Sequence, residues 1–159
     1  MTFDDWILAL HVLSAFALVA GIIVYWVLIF AVRRADTPEG VIRLGPLAMV
    51  AQAAVGIGAL GTIVLGVWLA FSVGDYDIWD GWIIAAIVLW LIVTGLGQRT
   101  NEAHSHGVQK AQELQRAGQT GPNSELLALN RTSRGLVLQL VVSAGVLLIL
   151  IDMIWKPGA

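Results

Sequence analysis

The sequence predicts an all-α integral membrane protein: a four-helix bundle in the bilayer, with a helical extension between its third and fourth spans. Three observations predict it. Of 159 residues, 58% are hydrophobic and only 13% charged, where soluble domains carry about 45–50% and about 25%. The apolar residues gather in four runs, 6–32, 44–71, 79–97 and 136–155, each near or above the ~20 residues that cross a bilayer as a helix. No run alternates with the period of a strand, and an open sheet edge cannot face lipid. A soluble enzyme, a disordered chain and a disulfide-stapled domain are thereby excluded. The 9 Lys+Arg against 11 Asp+Glu leave no basic surplus for nucleic acid. The absence of cysteine removes thiolate metal sites and cysteine nucleophiles. Too few residues lie outside the runs for a second domain, so 1–159 reads as a single membrane domain.

Run one opens with Thr2 and Asp5, spaced as a capping box. Its acidic start and its length fit a retained helix rather than a cleavable leader. At about 40 Å it outreaches a hydrocarbon core of about 30 Å, so it should tilt or project. His11, Ser14, Leu18, Gly21 and Tyr25 share one face. This is the only polar face of the run and should look into the bundle.

Run two carries Pro46 in its first turn, where a missing N–H costs little. Ala54, Gly58, Thr62, Gly66 and Ala70 form a small-residue stripe at i+4 spacing. Lipid is as apolar as leucine, so spans associate by close packing, and such a stripe admits a neighbouring backbone. The stripe drifts about 40° per step, which suits a right-handed crossing or two successive neighbours. Gly56, Gly58 and Gly61 also spell the dinucleotide fingerprint, but that motif needs a preceding strand and a turn. Mid-span in an apolar helix, these glycines read as packing.

In run three, Asp80, Ile87, Leu91, Thr94 and Gln98 align on one face. In run four, Gln139 and Ser143 align, and an ideal helix turns Asp152 about 180° away from Ser143. Gln139 and Ser143 are the better interhelical contacts. The connection 98–134 is the one sizeable polar segment. Residues 100–117 should continue run three as helix, 118–123 should turn at two glycines and Pro122, and Ser124 should cap a further helix with Glu125 behind it. A helical hairpin beyond the membrane results.

Eight of the 9 Lys+Arg fall in the first and third connections, and only Lys156 falls elsewhere. The positive-inside rule then puts both termini outside and the two basic connections in the cytoplasm. Trp6, Trp68, Trp79, Trp82 and Trp155 cluster at the predicted outer ends as an interfacial belt would. The outer surface is acidic, with Asp4, Asp5, Asp75, Asp77, Asp80 and Asp152.

Ionisable residues within a span are candidate functional residues. His11 lies about 7–8 Å along its helix from Trp6, and Asp152 about 4–5 Å from Trp155, so both sit near the outer face. Asp80 could join them. His11, Asp152 and Asp80 are thus candidate metal ligands, or a proton relay, or a set that positions a haem ligand. His104 and His106 could chelate a metal only from an extended backbone, since i and i+2 point apart on a helix. Asn130-Arg131-Thr132 spells a glycosylation sequon on the wrong side of the membrane.

The opening, from Trp6 through His11 and Ser14 to Ala15, resembles the first helix of small, uncharacterised bacterial four-helix integral membrane proteins. Arg33-Arg34 and the glycines from Gly56 to Gly66 continue the resemblance. More distantly the chain is similar to copper-resistance D-type membrane proteins and to membrane-bound protoporphyrinogen oxidases. In those oxidases the first-helix histidine is associated with haem, which implies His11 as a ligand. They also use an intramembrane lysine that this chain lacks, so their activity is not implied. Copper is disfavoured by the lack of cysteine and by only three methionines.

Three functions fit this outline. The first is a structural or accessory subunit of the bacterial inner membrane, as a homo-oligomer or within a larger complex. The second is a cofactor protein with His11 on a b-type haem or a metal ion. The third is an oligomeric transporter or channel.

Overall fold

The structure, a computed structural model, describes residues 2–72 and 79–157, apart from the side chains of 103 and 104. Asp75 and Asp77 of the predicted outer loop lie outside the described residues. Six helices follow in order: α1 Phe3–Arg34, α2 Pro38–Arg43, α3 Gly45–Ser72, α4 Gly81–Arg116, α5 Ser124–Asn130 and α6 Ser133–Trp155. The fold is all-α among the described residues. Helices α1, α3, α4 and α6 are each long and apolar enough to cross a membrane.

Local chemistry explains the ends. The Thr2 hydroxyl accepts from the Asp5 N–H, and the Asp5 carboxylate accepts from the Thr2 N–H, completing the capping box. Helix α2 is an element the sequence reading missed. Thr37 caps it by accepting from the Gly40 N–H, Pro38 occupies its first turn, and Glu39 pairs with Arg43 at 2.7 Å. Helix α5 starts one residue earlier than its expected cap implied. Asn123, not Ser124, is the N-cap, because its side chain accepts from the Leu126 N–H and its own N–H donates to the Asp36 carbonyl.

The long helices form two antiparallel pairs. Gly21 meets Val55, Leu18 meets Gly58, Ser14 meets Gly61 and His11 meets Gly66. The paired numbers sum to a near-constant value, which is the register of an antiparallel α1–α3 hairpin. Helix α4 pairs with α6 likewise: Gly145 meets Val93, and Gly107 meets Asn130 at the end of α5. The small-residue stripe therefore serves neighbours within the same chain. Gly58 and Gly66 take α1, while Ala70 packs with Trp82 and Ile83 at the start of α4.

Hydroxyls and indoles need partners where no water reaches. Ser14, Thr62, Thr100 and Ser143 each donate back to the carbonyl four residues earlier on their own helix. Two tryptophans tie the pairs together: Trp26 Nε1 donates to Ser143 Oγ at 3.0 Å, and Trp90 Nε1 donates to the Ala59 carbonyl at 3.1 Å. Ser143 and its neighbour Gln139 thus face inward. Trp6, Trp68, Trp79 and Trp155 are exposed, as a belt requires, but Trp82 is buried in the bundle against Ala70. Its position one residue inside α4, rather than at the tip, turns it toward α3.

Beyond the spans, the basic end is folded. Val41 of α2, Ala111 and Leu114 of α4, and Leu126 of α5 form a small buried cluster. Arg33 donates to the carbonyls of Arg131 and Thr132, and Lys110 pairs with Glu125 at 3.1 Å. The expected hairpin is present, docked onto α2 rather than standing free. Its first arm ends in a Schellman motif: Gly118 N–H donates to Gln115 O, Gln119 N–H donates to Leu114 O, and Gly118 has φ +75°. Gly118→Ala forces a Cβ into the left-handed region at a cost of about 1–2 kcal/mol. Amide exchange at Gly118 and Gln119 should quicken by roughly 5–30-fold. An unchanged exchange rate would mean the motif does not form.

Candidate functional site

His11 projects from α1 into the α1–α3 contact. A Cβ on Gly66 would lie 3.0 Å from His11 Cε1, so the ring fills the space that Gly66 leaves. The imidazole lies against α3, with Nδ1 buried without a partner. Asp152 belongs to the other helix pair. It lines a shallow apolar recess with Leu89, Leu148, Trp155 and Pro157, where its Oδ2 is buried and unpartnered. Asp80 is the N-cap residue of α4, without a side-chain capping bond. Among the described residues, no three His, Asp or Glu side chains converge as a metal centre requires. The geometric reason is that His11 is committed to α3, whereas Asp152 faces α4 from the side of α6 opposite Ser143.

The chain around His104 and His106 is helical, inside α4. This is not the extended backbone that chelation by two histidines with one spacer needs. The side chain of residue 104 lies outside the description. Asn130, of the sequon, closes α5 with its Oδ1 against Gly107.

The structure also contains a site that the sequence reading did not assemble. Where the two helix pairs face each other, a cavity of about 260 Å³ opens, lined by all four long helices. Its polar wall includes Tyr25, Gln52, Thr94, Gln98, Thr100, Asn101 and Gln139. Tyr25 Oη donates to Asn101 Oδ1 at 3.3 Å across the cavity mouth. Gln139 is only 3% exposed. Its side chain is part of the cavity lining. The apolar wall includes Leu18, Ile22, Trp90, Val142 and Val146.

These two walls are stacked along the helix axes. Gln52 lies seven residues into α3 and Gln139 six into α6, about 10 Å from the basic ends of their helices. Leu18, Ala59 and Trp90 lie deeper. The cavity is therefore polar toward the basic end and apolar toward the middle of the long helices, and none of its lining residues carries a formal charge.

Part of this site was visible in the sequence. Tyr25, Thr94, Gln98 and Gln139 each occupied an inward face of their own helix. Gln52 and Asn101 were passed over, although Gln52 is the only carboxamide in the second apolar run. Which faces would meet was the missing information. Comparison of the chain with protein-family models, curated proteins and solved structures finds no match.

Proposed function

We propose that this chain is a structural or accessory subunit of the bacterial plasma membrane. Both termini lie outside, and the arginine-bearing end lies in the cytoplasm. The observation that carries the reading is how the spans use their polar groups. His11 is wedged against Gly66, and the tryptophan and hydroxyl donors bond main chain or a neighbouring helix instead of converging on a reaction centre. The asymmetry of Lys and Arg supports the orientation, and the resemblance to small bacterial four-helix membrane proteins supports the setting.

A second reading, haem or a metal at His11, is favoured by one observation: Nδ1 is buried without a partner. One preparation separates the two. Extracted in mild detergent, the protein should be colourless and should migrate at a native mass above one copy of the chain. His11→Ala should leave its visible spectrum unchanged. A monomeric preparation with a Soret band that His11→Ala abolishes would replace the accessory reading with the haem one.

A further inference from the structure

We propose that the cavity between the two helix pairs is a binding site for an uncharged amphiphile, with an oxygen-bearing head at the carboxamides and an apolar chain pointing toward mid-membrane. This goes beyond the accessory role and does not depend on it.

The argument starts from Gln139. A carboxamide presents two donors and two acceptor sites. Burying one inside a membrane protein is costly unless it is hydrogen-bonded. A purely packing position in a span would be served equally well by leucine. Instead a glutamine only 3% exposed stands on the cavity wall, its own main-chain carbonyl accepting from Ser143 Oγ. The carboxamide gives that wall both donors and acceptors.

The other polar groups define what it can bond. Carboxamides at Gln52, Gln98 and Asn101 and hydroxyls at Tyr25 and Thr94 both donate and accept. No lysine, arginine or carboxylate lines the space, so nothing there matches a charged head. Ester, ketone and hydroxyl oxygens fit this set. The volume has room for about nine water molecules, enough for one head and the first part of a chain. The deeper wall of Leu18, Ile22, Val142 and Val146 offers only dispersion contact, which suits the chain.

The cavity can also be closed without disturbing the fold. Gly56 lines it, and a Cβ there meets nothing within 4 Å. Gly56→Leu therefore fills the site while improving helix propensity. The test uses the full chain in detergent micelles and a monoacylglycerol brominated on its acyl chain. Bromine quenches the indole of Trp90 at the cavity wall. Saturable quenching is expected in the parent protein, about tenfold weaker in Gln139→Leu, and absent in Gly56→Leu at an unchanged or raised melting temperature. The matched brominated fatty acid at alkaline pH and the matched bromoalkane should give only the linear quenching of micelle partitioning. Thr94→Val, which keeps the volume and removes one hydroxyl, should weaken binding too, and serves if Gln139→Leu does not fold. Linear quenching by the monoacylglycerol in the parent, unaltered binding in Gly56→Leu, or equal binding of the ionised fatty acid would each overturn the proposal.

Discussion

Gly58→Leu should be the most damaging single change in the membrane-spanning part of the protein. A Cβ at Gly58 would run into the backbone nitrogen and Cα of Leu18. A side chain can rotate away from such a clash, but a helix backbone must translate. Leucine adds three further carbons to the same space. Helix pairs in lipid are held by close packing rather than by a hydrophobic drive, so moving α1 outward removes most of what holds it to α3. Ser14 against Gly61 and Val55 against Gly21 are on the same face and lose contact together. The cost of overpacking is about 3 kcal/mol or more when the backbone has to move, which lowers the melting temperature in detergent by roughly 6–12 °C. Gly56→Leu is the control: it makes the same chemical change two residues away, where the Cβ meets nothing. If the two variants melt alike, the face of α3 that receives α1 has been misassigned.

That face was legible in the sequence, and so was the inward face of α1; which helix each would meet was not. The spacing from Ala54 to Ala70 marks a stripe because a helix repeats every 3.6 residues, and small residues at that interval have few other uses in a span. The complementary surface on α1 is not a stripe of small residues. It is the main chain at Leu18, one glycine at Gly21, the hydroxyl of Ser14 and the ring of His11. Helical spacing still marks these residues as one inward face, without saying which helix it meets. His11 stands out by charge chemistry, and the space beside Gly66 shows where its ring packs. Trp82 was grouped with the belt because tryptophans at span ends usually lie there, and only the neighbouring helix shows that this one is turned inward. The cavity follows the same logic. Each of its inward polar residues could be placed on its own helix, but α1 with α3 and α4 with α6 had first to pair before Tyr25, Gln139 and Asn101 could meet. The four spans themselves were legible because length and apolarity suffice to mark a membrane helix. Helix α2 was missed because six residues carry no period to read, and Thr37-Pro38 was its only signal.

Leu126→Ala should have its largest effect outside the spans. Leu126 is fully buried, 0% exposed, among Val41, Ala111 and Leu114. A seven-residue helix has no stability of its own in water, so α5 exists because this side chain fastens it to α2 and α4. Truncation to alanine removes three buried carbons and leaves a gap that the short α2 can only partly fill, at a cost of about 2–5 kcal/mol. The basic-end cluster is small, and that loss should open it locally while the four spans stay folded. Trypsin should then cut at Arg116 and Arg131 at least tenfold faster, and amides of 124–130 should exchange early, with the detergent melting transition of the spans little changed. Glu125→Gln separates packing from charge. It breaks the pair with Lys110, but Glu125 is 71% exposed, and an ion pair so open to water contributes only about 0–1 kcal/mol, so the cutting rate should hardly move. Equal acceleration in both variants would mean that the ion pair, not Leu126, fastens α5. If the spans instead melt together with the cleaved segment, the extramembrane hairpin and the bundle are one cooperative unit, and Arg33, which donates to Arg131 and Thr132, is the residue whose truncation should then reproduce the effect.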